Sequence, residues 1–112
     1  MRRVFKKDRW VIYKTDCGYI VQNILMPDFA HTHLESFNVA KRILFLSYSR
    51  KLPHDLSPYL LISLLRVNND EKYCSKIQEL LNDVLNKHEL NYLNGNLELV
   101  ERGVINKTKL SG

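Results

Sequence analysis

Cysteine is scarce in this chain. Cys17 and Cys74 stand 57 positions apart, so they supply neither a disulfide framework nor the short ligand spacings of a zinc site. A reducing, cytoplasmic setting is the expectation. Glycine and proline number only four and three, and no phosphate loop or dinucleotide fingerprint can be placed on so few glycines. No stretch approaches the roughly 18 apolar residues of a membrane span, and the basic start MRRVFKKDRWVIYK is not followed by an apolar run of signal-peptide length. No membrane partner is expected.

Signatures of catalysis are missing as well. There is no G-x-S-x-G. His33 and Glu35 form an H-x-E, but the P-C-x-x-C that a zinc deaminase needs downstream is absent. His31-Thr32-His33 would point two imidazoles to one side of a strand, yet Asp28, Glu35, Cys17 and His54 offer no third ligand at a justified spacing. These histidines read as structural. Cys17 lies beside Asp16, which opposes thiolate formation. The expectation is a non-enzyme with no cofactor and no metal.

Acid is the remaining shortage, and it is confined to one half. Residues 1–51 carry only Asp8, Asp16, Asp28 and Glu35 against ten Lys/Arg, a balance of +6; residues 52–112 carry seven bases and eight acids. The whole formal excess of +5 therefore comes from the front of the chain. Such a one-ended field attracts polyanions. Arg2, Arg3, Lys6, Lys7 and Arg9 crowd the first nine residues, and residues 1–8 read as a basic arm of the kind that lies along a phosphate backbone.

At 112 residues with 45% apolar content, the chain fits a single α+β domain with its own core. Trp10–Lys14 and Tyr19–Leu25 are rich in β-branched and aromatic residues and flank Thr15-Asp16-Cys17-Gly18, which predicts an N-terminal hairpin. Neither strand alternates cleanly, so both faces are expected to be partly covered. A third strand is placed around His31–Leu34. Ser36 caps a helix from Phe37 to about Lys51, stopped before Pro53. Ser57 and Pro58 open a second helix whose body is apolar nearly all round. Asp70-Glu71 begin a third, with Tyr73, Ile77, Leu80, Leu81, Val84 and Leu85 at helical spacing to about Lys87. Leu90–Leu93 and Asn96–Leu99 about Asn94-Gly95 predict a C-terminal hairpin with Tyr92 opposite Leu97. Residues 104–112 are expected to be a flexible tail.

Within the first helix, Lys41, Phe45 and Tyr48 fall at i, i+4 and i+7 with Arg42 beside them. Cations on phosphates and rings on unpaired bases are how single-strand binders work, and Trp10, Tyr13, Phe45 or Tyr48 would offer the stacking rings. The same spacing is also that of an ordinary core stripe, in which the rings pack on the hairpin, and that use is the commoner. Three helices and a hairpin also allow a winged-helix topology. Its third helix, however, carries four acids against three bases between Asp70 and His88, which argues against the usual docking mode.

In its shortness and its Asn/Lys/Ile/Leu-rich style the chain resembles the small accessory proteins of phages and mobile elements, which implies a protein that binds and blocks a host machine. Two partner classes follow: nucleic acid, or an acidic protein surface met as a protein–protein inhibitor. An apolar surplus in the hairpins and first helix also allows a homodimer.

Overall fold

The computed structural model describes residues 1–91, with side chains through residue 87. Four strands, β1 (Arg2–Lys7), β2 (Trp10–Thr15), β3 (Gly18–Asn23) and β4 (His31–Leu34), form an antiparallel sheet in the order β1-β2-β3-β4. Three helices follow: α1 (Phe37–Ser49), α2 (Pro58–Arg66) and α3 (Glu71–Asn91). The architecture is α+β, as expected, with a larger sheet than the sequence suggested.

The main correction concerns residues 1–8. They are not an arm. Arg2–Lys7 is the edge strand β1, paired with β2 through Arg2 opposite Lys14, Arg3 opposite Tyr13, Phe5 opposite Ile12, Lys6 opposite Val11 and Lys7 opposite Trp10. The register slips between Arg3 and Phe5, leaving Val4 as the extra residue of a bulge. Val4 and Phe5 consequently both pack on the core, which plain alternation would forbid. Bulges and charged side chains are common devices on edge strands.

Tight turns join the first three strands. Asp8 and Arg9 connect β1 to β2, with Asp8 at φ 56°, a conformation that Asp tolerates better than most residues. Asp16 and Cys17 connect β2 to β3, closed by Thr15 opposite Gly18. Gly18 is required here, because a Cβ at that position would lie 2.5 Å from the Leu34 carbonyl oxygen. β3 stops at Asn23, two residues short of the expected end. The Asn23 side chain accepts from Leu25 N–H at 2.9 Å, turning the chain so that Ile24 and Leu25 lie exposed.

The helices pack on one face of the sheet. Residues opposed in an antiparallel ladder share a face, so Phe5, Ile12, Val21 and Thr32 form one row and Trp10 and Asn23 lie beside it. That face meets Ala40, Ile43 and Leu44 of α1 and Leu60, Leu61 and Leu64 of α2 in one core. α3 packs on α2 rather than on the sheet, adding Tyr73, Ile77, Leu81 and Val84. Buried polar groups are matched across the layers. Trp10 Nε1 and Asn23 Nδ2 both donate to the Val67 carbonyl, at 2.9 and 3.0 Å. Thr32 Oγ1 donates to Ser63 Oγ at 2.9 Å.

Helix ends follow local chemistry. Ser36 Oγ accepts from Val39 N–H at 3.0 Å, capping α1. α1 ends two residues before Lys51, because Arg50 turns into the left-handed conformation and its N–H closes on the carbonyls of Leu46 and Ser47. Ser57 occupies the N-cap position of α2, but its side chain makes no capping bond; Pro58 supplies the helical φ. Asp70 caps α3, accepting from Tyr73 N–H at 2.8 Å. That bond, helped by Arg50 and Lys72, holds the Asp70 carboxyl below its ordinary range. α3 runs to Asn91, past the expected end at Lys87. The C-terminal hairpin, apart from its first two positions, and the tail over 104–112 lie outside the described residues.

Candidate nucleic-acid interface

The bulge in β1 sorts its four cations two by two. Arg3 and Lys6 pair with Tyr13 and Val11, on the face away from the helices, whereas Arg2 and Lys7 pair with Lys14 and Trp10, on the helix side. All four are exposed. None makes an ion pair with a carboxylate among the described residues.

On the helix side, the sequence-nominated rings and cations come together with β1. The Phe5 and Phe45 rings stand 5.7 Å apart. Lys7 Nζ lies 5.0 Å over Tyr48, and Lys41 Nζ lies 4.9 Å over Phe37, which in turn meets Tyr19 at 5.5 Å. Lys14 Nζ sits 4.9 Å over Tyr19. The outcome is a seam of ring–ring and ring–ammonium contacts that joins side chains of α1 to side chains of β1 and β3, with Lys14 of β2 at one end. Phe45 and Tyr48 remain 44% and 47% exposed, but each ring already has a partner.

Two nominated residues stand apart from this seam. Arg42 leaves its neighbour Lys41 and reaches the α1–α2 linker, 3.6 Å from Asp55, beside a groove of about 480 Å³ that Leu46, Pro53 and His54 also line. Arg9, in the β1–β2 turn, has its Nε 3.4 Å from Asp8, within ion-pair range but outside hydrogen-bond geometry. Its guanidinium lies 5.5 Å from the Trp10 ring. Both arginines are engaged locally.

The second face of the sheet was not singled out in the sequence. Two rows cross all four strands: Lys6–Val11–Gln22–His31 and Arg3–Tyr13–Ile20–His33. Each begins with a β1 cation and ends with a histidine. Among the described residues α1 and α2 pack on the opposite face; on this one Val11 is buried, while Tyr13 and Ile20 are partly exposed. The two histidine rings meet edge to face at 5.0 Å. His31 Nδ1 lies 2.9 Å from the Phe29 carbonyl; a carbonyl only accepts, so Nδ1 carries the hydrogen and Nε2 is free. The signal that could have found this face is the period-2 pair His31/His33, which falls on the side opposite buried Thr32.

Cys17 and Cys74 are both free thiols. Cys17 is exposed in its turn. Cys74 donates to the Asn68 carbonyl at 3.3 Å, and burial pushes its thiol up, with Asp70 adding to the effect. Among the described residues, no group of three or more His, Cys, Asp or Glu is arranged to hold a metal ion, and no helix is long and apolar enough to cross a membrane. Comparison with family models, curated proteins and solved structures finds no match.

Proposed function

We propose that this protein is a non-enzymatic binding protein that contacts nucleic acid along β1. The observation that carries this reading is the state of Arg2, Arg3, Lys6 and Lys7: four exposed cations on one edge strand, with no carboxylate partner among the described residues. Cations held on a strand are more ordered than on a loose arm, so less side-chain and backbone freedom is lost when they engage phosphates. Lys41 and Lys14 extend the positive surface along the seam.

A labelled oligonucleotide titrated at low ionic strength tests this directly. The unaltered protein is expected to bind, and Arg2, Arg3, Lys6 and Lys7 all replaced by Ala to lose most of that affinity for every sequence alike. Absence of binding at low salt overturns the proposal.

A second reading has one observation of its own. Among the described residues β1 pairs only with β2, so its outer backbone edge can accept a further strand from an acidic protein segment. Nuclease treatment separates the two, since a protein complex survives it and a nucleic-acid complex does not.

A further inference from the structure

We infer that the helix-free face of the sheet takes single-stranded nucleic acid, with unpaired bases laid across Tyr13 and the His31/His33 pair. This rests on the proposal that β1 contacts nucleic acid, and it names which kind.

Among the described residues, the two rows of this face carry charge of one sign. These rows, Lys6–Val11–Gln22–His31 and Arg3–Tyr13–Ile20–His33, include no carboxylate. The cations lie at one edge and the histidines at the other, about 14 Å away at the usual spacing of strands. A backbone tracking Arg3 and Lys6 would direct its bases inward over Tyr13 and Ile20.

The rings available for stacking also distinguish the two sides. On the helix side, Phe5, Tyr19, Phe37, Phe45 and Tyr48 each already contact another ring or an ammonium group. Tyr13 is partly exposed and makes no hydrogen bond, ring contact or cation contact among the described residues. A planar ring next to a cation, on a rigid strand, is what sequence-tolerant stacking requires. Duplex nucleic acid keeps its bases paired and stacked inside the helix, so it would gain only the phosphate contacts. Sheets that carry such rings stack two or three unpaired bases in this manner.

The test is an anisotropy titration of the full chain with fluorescein-labelled oligothymidylate and oligouridylate, and with a duplex of the same length, at one salt concentration. Both single strands are expected to bind at least fivefold more tightly than the duplex. Tyr13→Ala should weaken single-strand binding about tenfold and leave duplex binding within twofold, and Tyr13→Phe should restore the single-strand affinity. His33→Ala, at an exposed position, should reduce the same preference even if Tyr13→Ala fails to fold. Duplex binding equal to single-strand binding overturns the inference while leaving the β1 proposal standing. No binding of any probe removes both. A homodimer in sedimentation that Tyr13→Phe preserves and His33→Ala disrupts, with no preference for single strands, would assign this face to a second copy and overturn the inference.

Discussion

Arg3 lies directly opposite Tyr13 across the β1–β2 ladder, on the face of the sheet that the helices leave uncovered. A cation and a ring held at adjacent positions by backbone pairing can meet a phosphate and its base at once. Arg3→Ala removes the cation without touching the core, because the side chain is exposed. Stability should therefore change by less than about 0.5 kcal/mol. The salt slope of single-strand binding should shrink by about 0.7, the value of one phosphate contact. Urea unfolding and binding at several salt concentrations check the two halves separately.

Trp10 and Asn23 face each other across β2 and β3 and converge on one acceptor, the Val67 carbonyl at the end of α2. Trp10→Phe keeps most of the ring but drops a donor, and should cost about 1 kcal/mol. Asn23→Ala should cost more, since Leu25 N–H also loses its acceptor. The two changes share one carbonyl, so the double variant should deviate from additivity. An unchanged urea midpoint for Trp10→Phe would count against that anchoring role.

Gly18→Ala brings a Cβ to 2.5 Å from the Leu34 carbonyl oxygen, at a residue whose φ is 155°. The β3–β4 ladder has to shift or the backbone has to strain, and a loss of about 1–3 kcal/mol is expected. Thermal melts of the two proteins compare it.

Tyr73 OH donates to the Lys51 carbonyl at 2.8 Å. Burial, with a smaller contribution from Cys74, pushes the phenol up from 10.0 to about 12. Below pH 10 both folded and unfolded chains keep this proton. Between about 10 and 12 the unfolded chain releases it and the folded chain does not, so stability should fall with rising pH through that window. Tyr73→Phe should lower stability at neutral pH and remove this part of the alkaline decline. At the acid end the depressed carboxyl of Asp70 acts oppositely. Its contribution is present above its ordinary value near 3.8 and is lost as pH falls through the lower folded value.

Much of the framework was legible because local chemistry and global packing agree. Ser36, Pro58 and Asp70 mark the starts of the three helices, and the turn at Asp16-Cys17 sits where the residues on either side demand it. β1 was hidden for a specific reason. In Arg2-Arg3-Val4-Phe5-Lys6-Lys7 the two apolar residues are adjacent, a pattern without alternation, and only a bulge lets both reach the core. The candidate site was half visible. Lys41, Phe45 and Tyr48 do share a surface, but the partners that occupy those rings come from β1, which sequence reading had left unpaired. The helix-free face was signalled only by the period-2 pair His31/His33, since nothing local to Tyr13 or Ile20 indicates which side of the sheet α1 and α2 will cover.

The most direct test of nucleic-acid binding along β1 is the dependence of affinity on salt for the unaltered chain and for the variant with Arg2, Arg3, Lys6 and Lys7 changed to Ala. Log affinity for a single strand should fall linearly with log salt, at a slope near −3 if all four cations meet phosphates, about 0.7 for each. The variant should bind weakly, with a much shallower slope. Salt-independent binding, or a slope that the four substitutions leave unchanged, would contradict it.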